Sequence, residues 1–116
     1  MNALTLQQWQ QKADQLTICG QAYINGQYVD ALSGKTFVSK SPIDGRELAS
    51  IAECGQADVD AAVVSARAAF EGGAWSETKP AFRKKIMMAL ADLMTVNKQE
   101  LALLETLDMG KPITTA

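Results

Sequence analysis

Histidine is absent from the 116-residue sequence, and with it the commonest general base near neutral pH and the usual imidazole metal ligand. Serine-histidine and cysteine-histidine catalysis within these residues is excluded. Cysteine is scarce: Cys19 and Cys54 stand far apart and form no Cys-x-x-Cys pair. Neither a zinc site nor a thioredoxin-like motif is supported, and both read as reduced, incidental thiols. An excess of positive charge is also missing. A net charge of -2 and a pI near 5.0 argue against a nucleic-acid partner, which requires a basic face to neutralise phosphates. The only basic cluster, Arg83-Lys84-Lys85, reads as a solvated helix face. No apolar run approaches the ~20 residues needed to span a bilayer, so no membrane partner is expected, and the first residues lack the basic start and apolar stretch of a signal peptide.

What is present is ordinary for a soluble globular protein: 47% apolar and 21% charged residues. No internal repeat, low-complexity tract or linker divides the chain, so residues 1–116 are expected to form one piece. Leu6, Trp9, Ala13 and Leu16 recur at helical spacing and predict a short amphipathic helix over Leu4 to Leu16. Ala22-Tyr23-Ile24 and Gln27-Tyr28-Val29 flank Asn25-Gly26, a dipeptide suited to a two-residue hairpin turn. Ser33-Gly34-Lys35 predicts a second turn, Thr36 to Ser41 a strand, Pro42-Ile43-Asp44-Gly45 a turn, and Glu47 to Ala52 another strand, together a small antiparallel meander.

From Ala57 the period becomes helical, with Asp58 and Asp60 in the first turn, where acids suit the helix dipole. Gly72-Gly73 stops this helix. Trp75 is expected to anchor the following loop by packing rather than to stack on a ligand. A second helix is predicted from about Pro80 to Val96, with Phe82, Ile86, Leu90, Leu93 and Met94 as its apolar face and Met87 and Met88 filling core gaps. Asn97 with Glu100 three residues later predicts a capping box for the last helix, whose leucine-rich run ends at Gly110 and Pro112. Asp108 then lies at the lip of that turn.

The segment Leu-Glu-Thr-Leu-Asp-Met-Gly-Lys-Pro, residues 104–112, resembles the Leu-Glu-(Thr/Ser)-Leu-Asp-(Thr/Asn)-Gly-Lys-Pro segment near the start of NAD(P)-dependent aldehyde dehydrogenases. Other blocks follow the same family in order. Tyr23 to Val29 is similar to its opening hairpin, and Phe37 to Gly45 to its Phe-x-x-x-(Asn/Asp)-Pro-x-(Thr/Asp)-Gly strand and turn. Ala57 to Ala62 and Ala66 to Phe70 resemble its next helix, and Trp75, Pro80 and Arg83 keep its Trp, Pro and Arg order. The lead-in Trp9-Gln10-Gln11-Lys12-Ala13 is similar to that of gamma-glutamyl-gamma-aminobutyraldehyde dehydrogenases of putrescine breakdown. Met109 and Ser41 depart from the family pattern.

The resemblance implies an α/β fold: the amino-terminal part of an aldehyde-dehydrogenase-like fold, with a helix, an antiparallel hairpin layer and three helices, as an incomplete Rossmann-type domain. Residues 1–116 would be the amino-terminal portion of the cofactor-binding domain. The whole enzyme would oxidise an aldehyde to a carboxylate with NAD or NADP, as a cytoplasmic homo-oligomer. The family's cysteine nucleophile, oxyanion-hole asparagine, glutamate base and dinucleotide turn all follow the Gly-Lys-Pro segment, and this sequence stops four residues beyond Pro112. No catalytic or cofactor-binding residue is therefore assigned. Cys19 and Cys54 do not match the nucleophile, Glu100 and Glu105 read as a cap and a solvated residue, and Gly72, Gly73 and Gly110 form no dinucleotide pattern.

One minor site maps onto these residues by resemblance: a monovalent cation held between a backbone carbonyl at Ser39 or Lys40 and the carboxylate of Asp108, oxygens of the kind a hard cation prefers. The alternative is that Asp108 only hydrogen-bonds the turn after its helix. The alternative for the whole chain is a stand-alone interaction module or the product of a truncated gene. The apolar faces of the last two helices bear on that choice, because a missing sheet would leave them exposed.

Overall fold

The computed structural model describes residues 4–116. Its elements run α1 (Leu6–Gln15), β1 (Ala22–Ile24), β2 (Gln27–Val29), β3 (Thr36–Lys40), β4 (Glu47–Ala52), α2 (Gln56–Glu71), α3 (Pro80–Val96) and α4 (Lys98–Met109). Each begins or ends on a local signal. Thr5 and Gln8 exchange side-chain to backbone hydrogen bonds at the start of α1, a capping box that satisfies two free donors. Asn25 and Gly26 take φ of 52° and 74°, the positive pair that lets β1 and β2 join through two residues with Ala22 opposite Val29. Tyr23 and Tyr28 face each other across this hairpin with ring centroids 5.0 Å apart, edge to face. Pro80 opens α3, where its missing N–H has no helical partner to lose. Gly110 closes α4 at φ 76°, and a β-carbon there would also lie 3.3 Å from Pro42 Cγ.

The strands form two separate antiparallel hairpins, β1-β2 and β3-β4, rather than the continuous meander expected. Polar chemistry in the connection explains the break. The Leu32 N–H is donated to Asp58 Oδ1 at 2.9 Å, and Gly34 N–H to the Ala31 carbonyl at 2.8 Å, so the chain after β2 turns towards α2 and cannot extend a ladder. Asp58 is itself buried, and its Oδ2 accepts the Gly55 N–H at 2.8 Å at the head of α2. One carboxylate thus ties the loop between the hairpins to the start of a helix.

Two further expectations are corrected. Asn97 and Glu100 form no capping box: Asn97 donates its side-chain amide back to the Leu93 carbonyl at 2.8 Å, so its side chain caps the end of α3 and makes no bond to the start of α4. Trp75 is 43% exposed and does not anchor its loop by burial. Local hydrogen bonds hold that loop instead, with the Thr78 hydroxyl and the Ser76 hydroxyl donating to the carbonyls of Trp75 and Phe70 at 2.7 Å each.

The core is small. Only Ala31, Leu103 and Leu107 are buried apolar residues among those described, and Met87 and Met88, expected inside, lie exposed. The chain spreads into a slab 48 × 40 × 19 Å with a radius of gyration of 17.8 Å, against roughly 13 Å for a globular chain of this length. Its 9030 Å² of accessible surface compares with about 6,200 Å² expected for a folded 12.5 kDa monomer.

Two measurements test this framework. Gly20 lies so close to β4 that an added β-carbon would sit 1.8 Å from the Ser50 carbonyl oxygen, a backbone atom that cannot give way. Gly20→Ala is expected to separate this segment from β4, break the 2.7 Å bond from Ala52 N–H to the Gly20 carbonyl, and cost at least about 1–3 kcal/mol. Gly55→Ala, with open space around it, should cost under about 1 kcal/mol. Equal effects in thermal melting would contradict the close approach.

The N–H groups of Leu32 and then Gly55 hold the Asp58 carboxyl below the ordinary aspartate range. A folded-state pKa below the unfolded value contributes stability that is present above the unfolded pKa and lost as pH falls through the folded one. The amides of Leu32 and Gly55 should therefore be protected from exchange at pH 7 and lose protection on strong acidification. In Asp58→Asn the protection should be low at pH 7 and insensitive to acid; an unchanged profile would remove Asp58 from this role.

Candidate functional site

β3 and α4 end side by side. The approach of Pro42 to Gly110 brings the last turn of α4 against the end of β3, and the Ser39 hydroxyl donates to Asp108 Oδ1 at 3.1 Å, across 69 positions of sequence. Two of the three residues expected at a cation site are thereby joined. The third, Lys40, is exposed and pairs its backbone with Glu47, and a bulge interrupts the ladder between Ser39 and Lys40. A bulge leaves one residue of the strand without its ladder partner, which is how a strand end can present a carbonyl elsewhere. Asp108 thus accepts from the strand opposite.

The electrostatics there favour positive charge. The last four carbonyls of a helix lack intrahelical donors, and the dipole places partial negative charge at that end. No basic residue occupies the last turn of α4, and Asp108 adds a full negative charge to it. Lys111, just beyond Gly110, reaches back to Glu105 at 3.0 Å in a half-buried ion pair. Glu105 is thus paired and not merely solvated as expected. Sequence spacing hides this contact, because six positions matches no helical repeat; only the left-handed turn at Gly110 folds the lysine back.

Ser41 stands where the resemblance called for asparagine or aspartate, and it is 1% exposed. Its hydroxyl accepts the Ile43 N–H at 3.3 Å, and its carbonyl accepts Gly45 N–H at 2.8 Å. Serine makes the same local turn bond that an Asx side chain would make, so the departure is absorbed. Between β4 and α4 runs a groove of about 380 Å³, lined by Ile18, Leu48, Ile51 and Leu104, with Ser39 and Asp108 on its polar rim.

The residues do not fit a dinucleotide. The one strand-to-helix turn among those described is Glu53-Cys54-Gly55, between β4 and α2. A pyrophosphate needs free N–H groups and positive potential at such a turn. Here the Gly55 N–H is already donated to Asp58, and the carboxylate would repel a phosphate. Cys19 and Cys54 are exposed thiols, and among the described residues no group of three or more cysteine, aspartate or glutamate side chains could hold a metal ion. No described helix is long and apolar enough to cross a membrane.

Comparison with known proteins agrees with the arrangement of these elements. Residues 28–116 match the profile of the aldehyde dehydrogenase family. The NADP/NAD-dependent aldehyde dehydrogenase PuuC of Escherichia coli K12 is 47% identical over 113 residues, 97% of this chain and 23% of that protein. The solved indole-3-acetaldehyde dehydrogenase AldA of P. syringae, in complex with NAD+ and IAA, superposes with a TM-score of 0.94 at 54% identity, covering 97% of this chain and 23% of its own. The gamma-glutamyl-gamma-aminobutyraldehyde dehydrogenase of Burkholderia cenocepacia J2315 gives 0.93 at 54% identity, over 95% of this chain and 22% of that one. The chain spans about a quarter of the length of these relatives. Four helices and two small antiparallel sheets among the described residues, on a sequence whose family match runs from the first hairpin to the last residue, place the chain in the aldehyde dehydrogenase family as an amino-terminal segment.

Proposed function

We propose that this chain is the amino-terminal portion, residues 1–116, of the cofactor-binding domain of an enzyme that oxidises an aldehyde to a carboxylic acid with NAD or NADP. Its own contribution is scaffolding. The observation that carries this reading is the match of nearly the whole chain, 97%, to less than a quarter of a solved NAD+-bound relative, combined with a core of three buried apolar residues among those described. The parent enzyme is read as a cytoplasmic homo-oligomer acting on a small-molecule aldehyde. The lead-in Trp9 to Ala13 and the B. cenocepacia relative support gamma-glutamyl-gamma-aminobutyraldehyde and putrescine breakdown as the narrower assignment. A relative named for indole-3-acetaldehyde stands at the same 54% identity, so overall identity does not choose between the two aldehydes.

A chimera in which these residues replace the aligned segment of the E. coli relative is expected to keep the host's order of aldehyde preference and its NAD(P)-dependent oxidation. The 116-residue chain alone should reduce no NAD(P) with short aldehydes. A soluble but inactive chimera, or activity in the pure chain, would overturn the reading.

The place where the end of β3 meets the end of α4 is proposed to hold a monovalent cation through the Asp108 carboxylate and a carbonyl at Ser39 or Lys40. The bulge at Ser39 and Lys40, the Ser39 to Asp108 bond and the lack of a basic residue in the last turn of α4 support it. Potassium titration should move the amide resonances of Ser39, Lys40 and Asp108 together, and Asp108→Ala should abolish the response. Shifts that persist in that variant would assign them to general ionic strength.

A further inference from the structure

Asn25-Gly26 is the one Asn-Gly pair in the sequence, and beyond shaping the first hairpin it carries a latent reaction. The backbone nitrogen after an asparagine can attack that residue's side-chain amide carbon, because the ring so formed has five members. Glycine, without a β-carbon, hinders the approach least. Asn25 and Gly26 are both exposed, and nothing lies within 4 Å of a β-carbon built on Gly26. Among the described residues the Gly26 N–H donates no hydrogen bond, so the nucleophile is free. At Asp44-Gly45, the pair of related chemistry, the Gly45 N–H is instead donated to the Ser41 carbonyl at 2.8 Å and the carboxylate is paired with Arg46.

The closed turn opposes this reaction. With φ of 52° and 74° and Ile24 opposite Gln27, the pair forms a type I′ turn, the mirror image of type I, which sets ψ of its first central residue near about +30°. Ring closure needs the Gly26 nitrogen on the same side of the Asn25 Cα–C bond as Cβ, whereas at that ψ an L-residue holds the two on opposite sides. The rotation between them is far more than a right angle, and it parts Ile24 from Gln27. The Ser65 hydroxyl on α2 tethers the side chain as well, donating to Asn25 Oδ1 at 3.4 Å. Against these restraints stands the size of the hairpin. Two strands of three residues, with Tyr23 and Tyr28 exposed at 65% and 63%, are marginally stable in themselves, so the turn opens recurrently.

We propose that Asn25 is a modification site gated by this hairpin, unreactive while the turn is closed and deamidated when it opens. In the open turn the Gly26 nitrogen bonds to Asn25 Cγ and the Cγ–Nδ2 bond breaks. Ammonia leaves carrying the proton that Gly26 gives up, and a cyclic imide remains. Water then adds to one imide carbonyl and breaks its bond to nitrogen. Opening at Cγ yields aspartate; opening at the main-chain carbonyl yields isoaspartate, whose chain runs through Cβ and Cγ. Each residue consumes one water and releases one ammonia, with nothing oxidised or reduced. Aspartate tolerates the left-handed conformation much as asparagine does, so the turn re-forms with an added negative charge. Isoaspartate inserts a methylene into the main chain, which a two-residue loop cannot absorb without displacing Ala22 from Val29. Opening thus permits the modification, and its isoaspartyl product keeps the hairpin open.

The test incubates the 116-residue chain near neutral pH and follows the peptide containing Asn25 by mass spectrometry, separating its aspartyl and isoaspartyl forms. Conversion should be slower by at least about tenfold than in a synthetic peptide of residues 23–28, because the rate follows the open fraction of the turn. Tyr23→Ala with Tyr28→Ala, which removes the ring pair across the strands, should raise the rate towards that of the peptide. Ser65→Ala should raise it less, and it leaves both strands intact should the double substitution unfold the chain. Each increase should accompany a loss of exchange protection in the β1 and β2 amides. A chain as fast as the peptide, or equal rates in the parent chain and both variants, would overturn the gate. Slower conversion in Ser65→Ala would overturn it too, by making the hydroxyl an activator of the carbonyl. Asn25→Asp should keep the amide protection of the parent; its loss would contradict the assignment of disruption to the isoaspartyl linkage.

Discussion

Apolar surface without a matching cover is the constraint on which the rest of this structure depends. Burial of apolar area is the main favourable term in folding, at about 25 cal/mol per Å², and here it is mostly unspent, because among the described residues Ala31, Leu103 and Leu107 are the only apolar ones buried. The chain is held in shape by short-range polar devices: the Thr5 and Gln8 box, the Asn25-Gly26 turn, the Ser41 turn and the left-handed Gly110. Each satisfies backbone groups locally, and none substitutes for a core. The slab is therefore well specified in secondary structure and poorly closed in tertiary structure.

The same division explains what could be read from the residues. The first hairpin, the turns at Gly34 and Gly45, the entry of α3 at Pro80 and the end of α4 at Gly110 were all legible, because glycine, asparagine and proline act within a few residues of themselves. What was not legible depended on contacts at long range. Met87, Met88 and Trp75 have the composition of core residues, but no described element covers them and all three are exposed. Asp58 was visible as an acid in the first turn of a helix. That it also bridges to Leu32, 26 positions away, becomes apparent only when the loop between the hairpins is in place. Asn97 carried a sound capping signature and uses it on the preceding helix, since its amide meets the Leu93 carbonyl first.

The pairing at Ser39 and Asp108 shows how far a family pattern can reach. Nothing in periodicity or composition joins two residues 69 positions apart; the resemblance set Ser39 or Lys40 beside Asp108, and in the structure the Ser39 hydroxyl donates to Asp108 at 3.1 Å. The groove beside them, the ion pair of Lys111 with Glu105 and the bulge in β3 were invisible beforehand. All three arise where one element ends against another, and chain ends of elements are set by packing more than by propensity.

The junction at Asn97 has a consequence for how such chains can vary. α3 ends and α4 begins on one residue, with no loop between them. Adding or removing a single residue there would turn α4 by about 100° and carry Leu103 and Leu107 off the face that buries them. Side chains at this elbow can be exchanged, but its length has no slack. The insertions and deletions that a family accumulates must fall elsewhere, and the open turn at Gly34, which has no neighbour within 4 Å of an added β-carbon, is where the fold has room for them.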